Sequence, residues 1–284
     1  MNKKSSDQWD LIIKSERSFF QLNIISLFKY RDLIYMFVKR DFVVFYKQTI
    51  LGPLWYLIQP LVNTVIFTII FGKVAQISTD GTPPFIFYMA GTVIWSYFAS
   101  CLSFTSNTFV SNAGLFGKVY FPRLIIPVSH IIITFLQFII QFIFFILFLI
   151  YFIFNGSDIN INITVVFLPI LLLQLALLSI GIGTFISSIT AKYRDLTFAM
   201  PFIIQIWMFA TPIVYPLSII PDKYKFIASL NPMTSIVEIF RYMFLGQGSA
   251  NFLIIITSAS VTLIFLFLEI LFFNKIEKNF MDTV

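Results

Sequence analysis

The sequence predicts an all-α integral membrane protein. It has six transmembrane helices, an amino-terminal amphipathic interface helix, re-entrant gate helices between spans five and six, and both termini in the cytoplasm. Three observations carry this. Hydrophobic residues fill 58% of the 284 positions and charged residues only 11%, against about 25% charged in soluble domains; mean hydropathy is +0.91. Six uncharged stretches, 48–72, 81–117, 124–157, 159–191, 196–221 and 242–268, each exceed the roughly 20 residues of one crossing, and charge at a bilayer centre is costly. Basic residues then fall on alternate loops, as cytoplasmic loops require.

The same composition excludes a soluble enzyme, a disordered chain and a secreted disulfide scaffold. Cys101 stands alone, so no internal disulfide forms, and with His130 the only histidine no Cys/His metal cluster is possible. The net charge of +6 reads as cytoplasmic marking of a membrane protein rather than as nucleic-acid binding.

Taken in chain order, residues 1–26 form a cytoplasmic tail. Nine of the nineteen Lys and Arg lie in the first 50 residues, with no apolar core before Leu33, so no cleavable signal is expected and the amino end stays inside. Residues 27–48 read as the interface helix. Lys29, Asp32, Lys39, Arg40 and Lys47 fall on one side of 27–47, and Leu27, Ile34, Val38, Phe42 and Phe45 on the other. Arg31 and Asp41 break the pattern. Such a helix lies in the headgroup layer, either as a plain topology anchor or as a helix that handles an anionic lipid headgroup or touches a partner. Gly52-Pro53 turns the chain into a six-span domain over 49–273, with spans near 51–75, 84–107, 125–154, 164–189, 197–215 and 250–273. Segment 110–124 carries Lys118 and Arg123, 190–196 carries Lys192 and Arg194, and the tail 274–284 carries Lys275 and Lys278, whereas 76–83 and 155–163 carry no basic residue.

The departure is 216–249, with Lys223, Lys225 and Arg241. Pro201, Pro212, Pro216, Pro221 and Pro232 interrupt this part of the chain. Asn231-Pro232 is a helix start, an N-cap followed by proline at the first helical position, and Gly246 is a natural stop. A helix of about 14 residues is about 21 Å long, too short for the roughly 30 Å hydrocarbon core, so it dips in and returns. Glu238 and Arg241 share its face and pair; on pairing alone, exchanging the two charges preserves more function than either reversal. Two readings stand, an ion pair on an external cap or an external gate built on Asn231, Pro232, Glu238 and Arg241.

No Gly-x-x-x-x-Gly-Lys-Ser/Thr phosphate loop is present; GLFGKV at 114–119 has the wrong spacing. Glu269 is the one acid inside a predicted span, fewer than an ion-driven pump usually shows. No catalytic residue and no metal site is assigned.

Several strings, in order, resemble the membrane permease of type-2 ABC exporters for polysaccharides, the O-antigen, capsule and wall teichoic acid permeases. They are RDFVVFYKQTILGPLWYLIQPLVNTVIFTIIFG at 40–72, FPRLIIP at 121–127, YRDL at 193–196, TPIVYP at 211–216, NPMTSIVEIFR at 231–241 and FNKIEKNFMDTV at 273–284. The resemblance implies a homodimer with the pathway between the copies, driven by two copies of a separate ABC ATPase that holds ATP and Mg. It implies no enzyme activity in the chain itself. The substrate implied is a polysaccharide on an undecaprenyl diphosphate carrier, most simply O-antigen, crossing the bacterial plasma (inner) membrane, with Lys39, Arg40 and Lys47 as the candidate first contacts for its headgroup. The loop from Asn112 to Arg123 resembles the coupling element, with Gly114, Leu115, Phe116, Lys118, Tyr120, Phe121 and Arg123 on or beside the ATPase groove. The alternatives are an ABC exporter of another lipid or small molecule, an integral-membrane glycan-assembly enzyme, and a channel or secondary transporter. The last two work without an ATPase partner.

Overall fold

The computed structural model describes residues 24–47, 50–119, 121–248, 255–268 and 271, and among them every regular element is a helix. The tails, Tyr120, Glu269 and both ends of the sixth expected span lie outside the described residues. Four helical stretches are long and apolar enough to cross a membrane: Gly52–Val74, Pro84–Ser106, Ile125–Phe154 and Ile163–Thr190. Their ends fall within two residues of those expected. Leu196–Ala210 and Ile255–Leu268 are apolar but shorter.

The first crossing is α3 (Trp55–Phe67), entered through a 3-10 turn at Gly52–Leu54 and continued by a π-helical stretch, Thr68–Val74. Then come α4 (Pro84–Ser106), two single turns α5 (Thr108–Ser111) and α6 (Ala113–Phe116), α7 (Ile125–Phe154), α8 (Leu168–Thr190), α9 (Leu196–Ala210), α10 (Asp222–Leu230) and α11 (Pro232–Leu245). The last described helix, Ile255–Leu268, is α12. In front of them lie α1 (Ile24–Lys29) and α2 (Arg31–Lys47).

The bundle is built around α4, which contacts α3, α7, α8, α9 and α11. Its apolar residues run all round the helix, the pattern of a buried element. Ile86, Tyr88, Ala90, Val93, Ile94, Phe98, Cys101 and Leu102 are all fully buried. Lipid tails are as apolar as these side chains, so close packing and hydroxyl bonds hold the helices together. Thr105 on α4 donates to the Ser179 carbonyl of α8 (3.2 Å), and Thr190 of α8 donates to the Ser106 carbonyl (3.1 Å). The Phe109 N–H donates to Ser187 Oγ (3.0 Å). Gly183 permits this approach, since a Cβ there would overlap the Thr105 side chain.

Two prolines shape the outer helices. Pro60 lies inside α3 and has no N–H for the Tyr56 carbonyl four residues back; Gln141 of α7 supplies it, with Nε2 donating to that oxygen at 2.8 Å. The fifth span, expected to reach 215, stops at Ala210. Thr211 precedes Pro212 and is extended (ψ 141°), because the proline ring disfavours helical backbone in the residue before it.

The interface helix differs from expectation in two ways. It breaks at Tyr30 into α1 and α2, and its packing face is turned. Leu27, Tyr30, Leu33, Ile34 and Phe37 face inward, while Val38 and Phe42 of the expected face are only half-buried. The aromatic cluster beneath Phe37 sets that rotation.

Gly183→Ala should lower the thermal unfolding midpoint of the detergent-purified protein by the equivalent of about 1–3 kcal/mol, the cost of overpacking a tight core. Gly114→Ala, where a Cβ meets nothing within 4 Å, should not move it.

Candidate functional sites at the two ends of the bundle

One end carries α2 and the segment that follows α4. Here a second hydrophobic cluster, separate from the main core, joins Phe37 of α2 to Phe109, Phe116, Phe121, Ile125 and Ile126. The rings touch in sequence: Phe37 to Phe121 at 6.0 Å, Phe121 to Phe116 at 5.6 Å, Phe116 to Phe109 at 5.9 Å. The Arg123 guanidinium sits over Phe116 at 5.8 Å. The expected coupling residues therefore divide. Phe116 and Phe121 are buried within the cluster, Leu115 and Arg123 are half-buried, and Gly114 and Lys118 are exposed, beside Val119 at 55% exposure. Val119 was not singled out from the sequence; its signal was an apolar residue next to a lysine in a polar turn. Tyr120 lies outside the described residues.

The basic residues of α2 behave differently from one another. Lys39 and Lys47 are exposed. Arg40 donates from Nε to Asp41 Oδ1 at 2.6 Å and lies over the Phe37 ring at 5.0 Å, so its charge is partly answered within the helix.

The other end is held by α11. Asn231 is the N-cap expected: its Oδ1 accepts from Met233 N–H at 3.0 Å. The same oxygen accepts from Trp207 Nε1 (3.0 Å), and Nδ2 donates to Thr211 Oγ1 (2.9 Å) and the Ala210 carbonyl (3.3 Å). One side chain thus ties the start of α11 to the end of α9. Pro232 follows, buried, its carbonyl accepting from Ser258 Oγ of α12 at 2.9 Å. Gly246 closes the helix at φ 69°. The Asn162 N–H donates to the Met243 carbonyl, fastening the 155–163 loop to α11, and Ser218 Oγ donates to the Asp80 carboxylate, joining 76–83 to the 216–220 turn.

Glu238 and Arg241 are both buried and stand 3.7 Å apart. The guanidinium has a larger commitment. Nη1 and Nη2 donate to the Pro212 and Ile213 carbonyls, each at 2.6 Å, and the guanidinium carbon lies 3.7 Å from the centre of the Phe87 ring. A Cβ on Gly91 would stand 2.9 Å from Nη2. Pairing at three-residue spacing was legible in the sequence; the carbonyls, Phe87 and Gly91 lie far along the chain and were not.

A family model described as ABC-2 type transporter matches residues 32–245, from the first turn of α2 to the last residue of α11. The chain belongs to the ABC-2 type transporter family. Similar proteins include two O-antigen export system permease proteins RfbA of Klebsiella pneumoniae. One is 26% identical over 253 residues and the other 27% over 257, each covering 89% of this chain and 95% of the relative. A protein of the same description from Myxococcus xanthus is 23% identical over 260 residues, 91% of this chain and 97% of its own length. The ABC-2 match therefore takes in both ends of the bundle.

In this ABC-2 chain Arg241→Met should cost about 3–5 kcal/mol of stability, because the buried Glu238 carboxylate loses its counter-charge and the Pro212 and Ile213 carbonyls lose their donors, as read by thermal unfolding in detergent. Exchanging the two, Glu238→Arg with Arg241→Glu, should do no better than either single reversal in stability or transport. A carboxylate at 241 would face the two carbonyls that the guanidinium now satisfies. Recovery in the exchanged protein would show that pairing alone matters.

Proposed function

We propose that the chain is the permease subunit of an ATP-driven exporter that moves an undecaprenyl-diphosphate-linked polysaccharide, most simply O-antigen, across the bacterial inner membrane. The carrying observation is the aromatic cluster that makes α2 and segment 109–126 one body. In this reading a helix lying among lipid headgroups and a loop reaching toward an ATPase shift together. Substrate at one is then felt at the other without a long relay. The O-antigen export permeases it resembles over nearly their full length support the substrate class; capsule and wall teichoic acid remain the sister substrates.

In the proposed assembly the short apolar helices α9 and α12 complete six spans, with both termini cytoplasmic and α10–α11 re-entrant as the external gate. Two copies form the pathway. Two copies of a separate ABC ATPase bind below, with ATP and Mg on them. Gly114, Lys118 and Val119 make the direct contact, and Leu115, Phe116, Phe121 and Arg123 hold that tip rigid; Tyr120 belongs to the same segment. Lys39 and Lys47 meet the carrier diphosphate first, and Arg40 does so at lower strength because Asp41 shares its charge. Asn231, Pro232, Glu238 and Arg241 set the gate's position. The chain itself makes and breaks no covalent bond.

Depletion of the protein in its native host tests the reading. Full-length polymer should accumulate on its lipid carrier inside the membrane. Short or absent polymer would indicate an assembly enzyme, and unchanged glycans another cargo.

Lys118→Glu with Val119→Asp should weaken copurification of the ATPase about tenfold, the scale of losing one interface hot spot, while the permease unfolds at the same temperature. Undiminished copurification would remove these two residues from the contact.

A further inference from the structure

Among the described residues, the two non-glycine residues with positive φ are Gln76 (φ 50°) and Asp80 (φ 51°), and both lie in the loop that joins the first crossing to α4. Such backbone is costly for a residue with a Cβ and persists only where the surroundings hold it. Here they do. The Asp80 N–H donates to Ser78 Oγ at 3.2 Å, the Thr82 N–H to the Thr79 carbonyl at 3.0 Å, and the buried Thr79 hydroxyl to the Thr82 carbonyl. The turn thereby presents one carboxylate. Ser218 Oγ stands 2.9 and 3.0 Å from its two oxygens, and the single hydroxyl hydrogen is shared between them.

Ser218 is also held by its neighbours. It sits in the 3-10 turn Leu217–Ile219, whose flanking residues Pro216 and Ile220 are extended (ψ 154° and 125°). Ile220 is so because Pro221 follows it. The turn marks a change in packing. Val214, Pro216 and Leu217 are buried, whereas from Ser218 to Leu230 only Ser229 is. Beyond that stretch Asn231 ties the chain back to the end of α9. Residues 218–230, α10 included, therefore form a strap fastened at its ends and little packed between. The Asp80 bond meets the strap at its first exposed residue. It also bridges the segments that follow the first crossing and α9, which share an internal proline and little buried surface. A hydrogen bond of this kind has a modest net worth, enough to bias a movable element and small enough to break in every cycle.

We propose that Asp80 and Ser218 form a clasp that holds the strap against the 76–83 loop while the outer end of the pathway is shut, and that parts when polymer passes. The proposal rests on the export reading, in which α10–α11 is the external gate. Asp80 is the fixed half, since its loop leads directly into the buried α4. Ser218 is the half that moves.

Two measurements test the clasp. The first uses host cells whose only copy of the permease carries Asp80→Cys and Ser218→Cys. Cys101, the one native thiol, is fully buried, so a short bis-thiosulfonate added outside the cells reaches the introduced pair. Peptide mass spectrometry of the purified permease–ATPase complex verifies the link. Linked protein should stop delivering polymer to the outer side, a reductant should restore delivery, and either single cysteine treated alike should export normally. The second follows amide hydrogen exchange in the complete nucleotide-free complex in lipid nanodiscs. Ser218→Ala should speed exchange across 222–230 by about threefold to tenfold, the scale of losing one modest hydrogen bond, and leave α4 unchanged. This measurement decides if the double-cysteine protein fails to fold or to export before the reagent is added. Normal export through linked protein overturns the proposal. So does a pair that will not cross-link, a stop that reductant does not lift, or unchanged exchange across 222–230. Failure of the export reading is distinct: unchanged glycans on depletion remove that reading, whereas polymer trapped on depletion but passing through linked protein removes the clasp alone.

Discussion

Inside a bilayer no backbone carbonyl can turn to water, and the architecture follows from how the broken helices meet that constraint. Two breaks show it. Pro60 denies an N–H to the Tyr56 carbonyl, and Gln141 reaches across from α7 to supply one. Pro212 ends α9, and the carbonyls of Pro212 and Ile213 are taken by the two terminal nitrogens of Arg241. In each case a side chain from another helix replaces a bond that the chain's own backbone cannot make. The repair is also the tertiary link: α7 to α3 in the first, α11 to the end of α9 in the second. Arg241 adds Phe87 of α4 to the same knot. A long polar side chain in an apolar bundle therefore marks where backbone has been broken, and the ion pair with Glu238 is secondary to that.

The two hydrophobic clusters divide the molecule by task. The main core stretches from α3 through α4, α7 and α8 to α11. The smaller one joins α1 and α2 to α5, α6, the residues just before and within the first turn of α7, and Ala191 beyond α8. Because Phe116 and Phe121 are spent inside it, the segment after α4 keeps a rigid base, while Ser111, Gly114, Gly117, Lys118 and Val119 face outward. Short single-turn helices have little stability of their own, so this aromatic base gives α5 and α6 a fixed shape.

The sequence made the long elements legible because length and charge exclusion suffice for them. Four helices long and apolar enough to cross a membrane were read to within two residues, and the Asn231 cap, Pro232 start and Gly246 stop of α11 appear where local chemistry demands them. What escaped was set by partners distant in sequence. The packing face of α2 turned because Phe37 meets Phe121, which helical periodicity cannot foresee. Arg40 read as a headgroup cation until Asp41, its neighbour, was seen to engage it. The end of α9 at Ala210 was readable in principle, since Pro212 restricts Thr211, but hydropathy alone carried the span onward. The carbonyls under Arg241 lie nearly thirty residues upstream, and no local pattern joins them.

Stiffness and compliance are unevenly distributed, in a way that suits a protein whose helices must move. α4 is buried along most of its length and locked to α8 by hydroxyl bonds and the glycine contact at Gly183. By contrast, Gly52–Val74 has little of its surface buried, contains Pro60 and finishes in a π-helical stretch. α9 has Pro201 inside it and buries only Met200. Prolines and π-helical turns are the identifiable causes of bending in helices, and both occur on the helices with least packing to restrain them. A displacement of α3 must stretch the Thr64–Thr92 bond to α4 and the Gln141–Tyr56 bond to α7, and one of α9 the Asn231 bonds to Trp207 and Thr211, whereas one of α4 would also break its hydroxyl bonds to α8. On the proposed function, closure of an ATPase pair beneath the 109–126 segment acts first on α2 and α7, which share its cluster. Of the helices beyond, α3 and α9 bury less of themselves than α4 and α8, so an opening of a path falls first on these two, each with a proline inside it.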